Sequence, residues 1–167
     1  YQAGALSFEI VSNEKKLISN SGYFQNQYHQ LNELSKSSAI HNTLILDDRS
    51  SCKFSKNKLS HGLKISKKNI VFEKNYWKIY ASHDGYLKKY GSIHEREIEF
   101  YPEQVAFIGI DKIINRRSNH NYKFDIRFHV EPGVKLMKTK DNKTILIELY
   151  DEGWKFTCDN YDIHIDN

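Results

Sequence analysis

A chain of 167 residues with 39% hydrophobic and 28% charged residues has the size and composition of one soluble domain. No apolar run approaches the roughly 20 residues that cross a bilayer, so we expect no membrane-spanning helix and no membrane partner. The net charge of +4 is too small to indicate a nucleic-acid-binding protein, and no nucleic-acid partner is expected.

Two cysteines, Cys52 and Cys158, lie far apart in the sequence. A domain of this size needs no disulfide, so two unpaired thiols are expected. The sequence starts at Tyr1, and no targeting signal precedes its first strand. We therefore expect residues 1–167 to form a single domain that belongs to a longer protein.

Apolar and polar residues alternate along most of the chain with the period of a β-strand. The first predicted strand places Leu6, Phe8 and Ile10 on one side, and a turn at Asn13-Glu14 leads into a return strand at Lys15–Ser19. In chain order, the further predicted strands are Thr43–Leu46, Tyr76–Ser82, Ile93–Phe100, Val105–Lys112, Tyr122–Val130 and Thr144–Tyr150. Within Tyr76–Ser82, one side is predicted to carry Trp77, Ile79 and Ala81.

Helical periodicity is nearly absent, and the segment Gln27–Leu34 is predicted to form at most a short helical turn. Many short strands separated by turns indicate an all-β fold, an antiparallel β-sandwich of about a dozen strands. The loop Asn20–Ser37 is longer than a compact domain usually needs, which suggests a function. It carries Tyr23, Tyr28 and His29.

A run of lysines stands out between Lys53 and Lys78, where Glu73 is the single acidic residue. The lysines are Lys53, Lys56, Lys58, Lys64, Lys67, Lys68, Lys74 and Lys78. Such a run is typical of solvated strand edges, where lysine discourages edge-to-edge pairing. The alternative is a surface for an anionic polymer.

Three motifs set this chain apart from a generic β-domain: Ala5-Leu6-Ser7-Phe8-Glu9-Ile10, Ile40-His41-Asn42-Thr43-Leu44 followed by Asp47-Asp48, and Ser82-His83-Asp84-Gly85-Tyr86. In this order they resemble the C-terminal β-domain of the heparinase II/III-like polysaccharide lyases, over essentially the whole chain. The resemblance implies a longer protein whose active site is shared with an N-terminal helical toroid.

The resemblance also implies where a zinc ion would lie. The family holds zinc in a His/Asp/His arrangement, and its third ligand corresponds to His41. The other two positions correspond to Gln2 and Asn20, and neutral amides are poor zinc ligands. We therefore predict a degenerate, metal-free site with no cofactor. A shift of the register by one or two residues would instead leave zinc in place.

Lyases of this kind cleave uronic-acid polysaccharides such as glycosaminoglycans by β-elimination, which requires a base and an acid beside the sugar ring. The candidates placed nearest the cleft are His41, Tyr28, His29 and Tyr23, while His41 also has a purely structural interpretation. Candidate substrate-binding residues are Lys64, Lys67, Lys68, His83 and Tyr86. His83 and Asp84 are adjacent and cannot form a dyad on a strand, and Asp84-Gly85 also signals a hairpin turn.

The sequence thus predicts one side of a groove for an anionic polysaccharide, closed by the N-terminal helical domain of the same protein. Cleavage is expected only in a full-length, bacterial lyase that is periplasmic or secreted, and the isolated domain is expected to be inactive. The alternative is a non-catalytic module for carbohydrate binding or domain packing, which the amides at Gln2 and Asn20 favour.

Overall fold

The computed structural model describes residues 2–26, 28–55, 58–117 and 121–166. The strands are β1 Ile10–Ser12, β2 Lys15–Ile18, β3 Leu44–Leu46, β4 Lys53–Ser55, β5 Lys58–His61, β6 Ile65–Glu73, β7 Tyr76–His83, β8 Ser92–Tyr101, β9 Ala106–Asn115, β10 Phe124–Ile126, β11 Lys135–Lys138, β12 Thr144–Leu149 and β13 Glu152–Thr157. The helices are α1 Leu31–Leu34 and α2 Leu87–Tyr90, with single 3-10 turns at Ser38–Ile40 and Pro102–Gln104. All strand pairs are antiparallel, so the predicted all-β fold class is confirmed.

The chain divides into two compact units. Unit 1 comprises Tyr1–Phe8 and Asn20–His129, and unit 2 comprises Glu9–Ser19 and Val130–Asn167. Unit 1 contains a four-stranded sheet in the order β6-β7-β8-β9, the β3–β10 pair and the β4–β5 hairpin. Unit 2 contains the β1–β2 hairpin and the sheet β11-β12-β13. The single-domain interpretation of the sequence stays a prediction.

The core of unit 1 lies where β3 and β10 meet the helix α2. Leu44, Leu46, Tyr86 and Tyr90 are buried together. They are packed against partly buried apolar residues, which are Ile113, Tyr122, Phe124 and Ile126. Burial of such side chains supplies the main free energy of folding. In unit 2, β12 buries Ile145, Ile147 and Leu149 and exposes the residues between them, which is the predicted period of two.

The predicted hairpin at the start of the chain is confirmed, but its first strand is shorter than predicted. β1 begins at Ile10, and Ser12 pairs with Lys15 across Asn13-Glu14, both of which have positive φ. Leu6 lies outside the strand with φ of 59°, and Ser7 turns back to donate its backbone N–H to the Gly4 carbonyl. The predicted alternation of Leu6 and Phe8 with Ile10 on one strand face is therefore wrong.

The lysine-rich segment forms strands that the pattern did not predict. β4, β5 and β6 cover more than half of it, and β6 is an edge strand of the four-stranded sheet. Lysine on such an edge opposes pairing with another chain, and whether the run also binds an anionic polymer stays a prediction. Lys56 lies outside the described residues.

One further expectation needs correction, and one is confirmed. The Asp84-Gly85 turn does not close a tight hairpin, because α2 lies between β7 and β8. The predicted apolar side of β7 does share one face of the sheet, since Trp77 pairs with Phe72 and Phe100 while Ile79 pairs with Ile70 and Ile98. That face is largely exposed rather than buried, with Trp77 40% and Ile79 55% accessible.

Candidate functional site

His41 lies at the end of the 3-10 turn Ser38–Ile40 and is only 2% exposed. Its Nε2 lies 3.3 Å from the carbonyl oxygen of Ser35. Gly4 covers the ring so closely that a Cβ atom at position 4 would lie 2.8 Å from its Cγ. Burial lowers the pKa of His41, against a smaller opposing effect of the Ser35 carbonyl. His41 is therefore an uncharged, packed side chain.

Two asparagines connect the segment around His41 to the first motif. Asn20 Oδ1 accepts hydrogen bonds from the backbone N–H of Asn42, at 3.0 Å, and from Asn42 Nδ2, at 3.3 Å. Both side-chain amides also donate to the carbonyl oxygen of Phe8. Asn42 Oδ1 accepts from the backbone N–H of His129. These hydrogen bonds hold four separate stretches of unit 1 together.

A cleft of about 470 Å³ opens beside His41. It brings together Gln2, Asn20 and His41, the three positions that the sequence predicted to share a site. The other lining residues lie in or just before the first motif, before β4, in β5 and at or just before the start of β6. The described residues of the lining are Gln2, Gly4, Ala5, Ser7, Asn20, His41, Cys52, Leu59, Gly62, Leu63 and Ile65. The cleft volume is within the range of roughly 300–1,000 Å³ that small-molecule sites occupy.

The residues of this cleft do not fit a zinc ion. The oxygen of Asn20 already accepts two hydrogen bonds, and Gln2 and Asn20 offer neutral amides in place of imidazole or carboxylate. Within the part of the chain that the structure describes, no group of three His, Cys, Asp or Glu residues is placed to hold a metal ion. The Asn20–Asn42 hydrogen bonds join these segments directly.

We predict that the purified domain contains far less than one zinc per chain, because only His41 and Cys52 among the described lining residues are of a type that zinc prefers, and two ligands do not retain the ion. Elemental analysis after dialysis measures this directly. As a positive control, the double variant Gln2→His/Asn20→Asp should gain zinc and lose it again when His41→Ala is added. Near-stoichiometric zinc in the unmodified domain that disappears in His41→Ala would contradict the prediction.

A buried chain of polar side chains runs across β7, β8 and β9. The Gly85 backbone N–H donates to Nδ1 of His83, so the ring proton of His83 is on Nε2, which donates to Nδ1 of His94 at 3.1 Å. His94 Nε2 in turn donates to Asp111 Oδ1 at 2.5 Å. Arg96 donates two hydrogen bonds to the same carboxylate, from Nε at 2.8 Å and from Nη2 at 3.0 Å. The hydrogen-bond directions fix both histidine tautomers.

The pKa values in this chain follow from its burial. Desolvation, with the nearby His94 and Arg96, lowers the pKa of His83 to about 3. Burial alone would raise the pKa of Asp111, but the hydrogen bond from His94 and the charge of Arg96 lower it overall. The chain thus contains the ion pair of Asp111 with Arg96, and His83 is uncharged at neutral pH.

Arg96 connects this buried chain to the motif segments at the cleft. Its Nη1 donates to the carbonyl oxygens of Leu6, at 2.9 Å, and Asn42, at 2.5 Å. Leu6 has a left-handed backbone conformation, which costs free energy for a non-glycine residue. The guanidinium therefore fixes the strained turn at Leu6 and the segment at Asn42 that precedes β3.

The structure separates the other predicted site residues into two groups. Tyr23, Tyr28 and His29 lie on the loop before α1, Tyr28 is 84% exposed, and none of the three lines the cleft. His83 and Tyr86 are instead buried, at 1% and 2% exposure. The Tyr86 hydroxyl donates to the carbonyl of Leu44 and so anchors β3.

The lysines predicted to bind substrate differ in their pairing. Lys67 forms an ion pair with Glu95 at 2.9 Å, and Lys78 at the end of the run pairs with Glu97 at 2.6 Å. Lys64 and Lys68 are exposed and have no acidic partner within 4 Å among the described residues. Their charges are therefore available to a ligand.

Sequence reasoning missed the buried residues His94 and Arg96, their partly buried partner Asp111 and the cleft residue Cys52. His94 and Arg96 stand two apart on a strand and hence on one face, which was a usable signal. Asp111 lies opposite Arg96 only through the pairing of β8 with β9, which no local pattern reveals. Burial raises the pKa of Cys52, partly offset by a hydrogen bond with Ser51.

The fold is all-β, and residues of the first two sequence motifs line one cleft. The family model described as heparinase II/III-like, C-terminal, matches residues 1–167, and the chain belongs to this family. No curated protein matches the chain, and no solved structure matches it. In the described ranges, no helix has the length and apolar character required to span a membrane.

Proposed function

We propose that this domain forms one side of a groove for an anionic, uronic-acid polysaccharide, which a longer protein cleaves by β-elimination. The observation that carries the proposal is the convergence of the motif residues. Ala5 and Ser7 from the first motif and His41 from the second line one cleft, in a chain that matches the heparinase II/III-like family throughout. An N-terminal helical domain would supply the opposite wall, and a periplasmic or secreted location would suit the substrate.

In this proposal the exposed lysines and the buried residues of the third motif have different roles. Lys64 and Lys68 attract the carboxylates or sulfates of the polymer. His83 and Tyr86 act as positioning residues, because their burial precludes contact with a polymer and their hydrogen bonds hold β3 and the sheet behind the cleft. Tyr23, Tyr28 and His29 stay candidates for substrate contact from the exposed loop.

We predict that charge reversal of Lys64 and Lys68 abolishes retention of the domain on a heparin column. Their positive field is uncompensated, and binding should weaken steeply with salt because the Debye length is about 8 Å near physiological ionic strength. Lys67→Gln should have a smaller effect than Lys64→Gln or Lys68→Gln, since the Lys67 ammonium is already engaged by Glu95 and less available to the polymer. The matched control, Lys138→Glu/Lys140→Glu, should elute close to the unmodified domain. Elution of both double variants together with the unmodified domain would show that the lysines merely solvate a strand edge.

A second function, a non-catalytic binding module, has one observation in its favour. His41 is buried against the Ser35 carbonyl with a lowered pKa, and the loop tyrosines do not line its cleft. No acid and base pair therefore faces the cleft from the described residues. In a module of this type, the domain would bind the polymer while catalysis, if present, would use groups of another domain.

We predict that the isolated domain has no lyase activity, because the acid and base set is incomplete. The assay incubates the pure domain with heparan sulfate, alginate and chondroitin while the ultraviolet absorbance of the unsaturated product is recorded. A heat-treated sample serves as the control. A sustained increase above that control would refute the prediction.

A further inference from the structure

Building on the proposed function, we propose that the cleft beside His41 binds the uncharged N-acetylated amino sugar of the polymer, and that the polymer's anionic groups bind outside it. The cleft is thus a subsite selective for an acetamido group. The proposal depends on the chemistry of the residues that line the cleft.

The polar part of the lining is uncharged. Gln2 contributes an amide, and Ser7 contributes a hydroxyl oxygen whose proton is donated to the Gly4 carbonyl. The Asn20 amide and the His41 ring also line the cleft, but they are already engaged by Asn42, Phe8 and Ser35. Among the described residues that line the cleft there is no lysine, arginine, aspartate or glutamate. A carboxylate entering this cleft would lose hydration without gaining a cationic partner, which is strongly unfavourable. An amide or hydroxyl loses less and can exchange hydrogen bonds with the lining.

The remaining lining is apolar and partly exposed. Leu59 is 40% and Ile65 36% accessible, and Leu63 and Ala5 lie in the same cleft. Covering this surface with a methyl group would be favourable by the hydrophobic effect. An acetamido group combines a methyl with an amide N–H and C=O, so it matches both parts of the lining. A plain sugar hydroxyl or an ammonium matches only the polar part.

Cys52 provides a reporter inside the cleft. The chain has two cysteines, both free, so Cys158→Ser leaves Cys52 as the single thiol. Its alkylation by iodoacetamide is followed at pH 9, since burial raises the pKa of the thiol. The probes are N-acetylglucosamine trimer, the same trimer with the acetyl groups removed, and galacturonic acid trimer.

The acetylated trimer should slow alkylation of Cys52 in a saturable way, roughly tenfold at ~10 times the half-protecting concentration. The deacetylated trimer and the galacturonic acid trimer should leave the rate unchanged. In Cys52→Ser, where Cys158 is the single thiol, none of the probes should alter the rate. Protection by galacturonic acid equal to that by the acetylated trimer, or no protection by any probe, would overturn the proposal.

A pair of variants separates ligand binding from folding. Leu59→Glu puts a carboxylate into the cleft, whereas Ser60→Glu puts one on the adjacent residue of β5, which does not line it. Protection by the acetylated trimer should be lost in Leu59→Glu and kept in Ser60→Glu. Equal protection in both variants would also overturn the assignment.

The two proposals fail in distinguishable ways. Heparin retention depends on the exposed Lys64 and Lys68, whereas protection of Cys52 depends on the uncharged cleft. A domain that binds heparin through these lysines but gives no protection would retain the proposed function and refute the acetamido subsite. A domain that gives protection without heparin retention would refute the anionic-polymer groove and leave the subsite standing.

Discussion

Replacing Asp111 by alanine should destabilise the domain by about 3–5 kcal/mol, since it leaves a buried guanidinium without its counter-ion. Arg96 is 4% exposed, and Asp111 accepts from both its Nε and its Nη2. The same carboxylate accepts from His94, so the substitution also orphans the end of the buried histidine chain. Urea denaturation compares the free energies of unfolding, and the melting temperature should fall by roughly 10 °C.

Two further variants test the cause of this effect. Asp111→Asn keeps an acceptor oxygen but removes the charge, so its loss of stability should lie between those of the unmodified domain and Asp111→Ala. Glu73→Ala removes an exposed carboxylate at the end of β6, with no ion pair in the described structure, and should cost less than about 0.5 kcal/mol. A loss below about 1 kcal/mol in Asp111→Ala would mean that the ion pair contributes no net stability.

Much of the fold could be predicted because alternation is a local signal. Thr144–Leu149 buries every second residue, and the Asn13-Glu14 turn joins the two strands that flank it. Charged strands such as β5 and β6 could not be recognised, because both sides of β5 and most of β6 are exposed and no apolar period results. The prediction that Leu6 lies in the first strand was wrong for a different reason. The Leu6 backbone is held outside the strand by Arg96, a contact 90 residues away in the sequence.

In the candidate site, too, some features could be predicted from the sequence, and others depend on contacts between distant residues. Gln2, Asn20 and His41 were grouped through the family resemblance, and the structure places all three at one cleft. The residues behind them could not be grouped, because Asp111 meets Arg96 and His94 only through strand pairing. Solvent exposure was equally inaccessible to the sequence pattern. His83 and Tyr86 belong to a distinctive motif but are buried, whereas Lys64 and Lys68 are exposed.

Acidification should destabilise the domain well above the pH at which its carboxylates titrate. The pKa of His83 is about 3 in the folded state and about 6.5 when unfolded, so below pH 6.5 the unfolded chain binds a proton that the folded chain does not. The stability is therefore fully present above pH 6.5 and declines as the pH falls toward 3. The loss from this residue should be about 2 kcal/mol between pH 7 and pH 5. His41 and His129, whose pKa values burial also lowers, act in the same direction.

The pH dependence can be attributed to His83 by substitution. In a Trp154→Phe background, Trp77 in β7 is the single tryptophan and reports unfolding of the sheet that contains His83. His83→Gln removes the titrating group, so the domain should be less stable at pH 7 but lose less stability between pH 7 and pH 5. The exposed His61 provides the matched control, and His61→Gln should keep the original slope. An unchanged slope in His83→Gln would place the acid sensitivity elsewhere, whereas a reduced slope there alone would assign it to the buried chain that runs from His83 through His94 to Asp111.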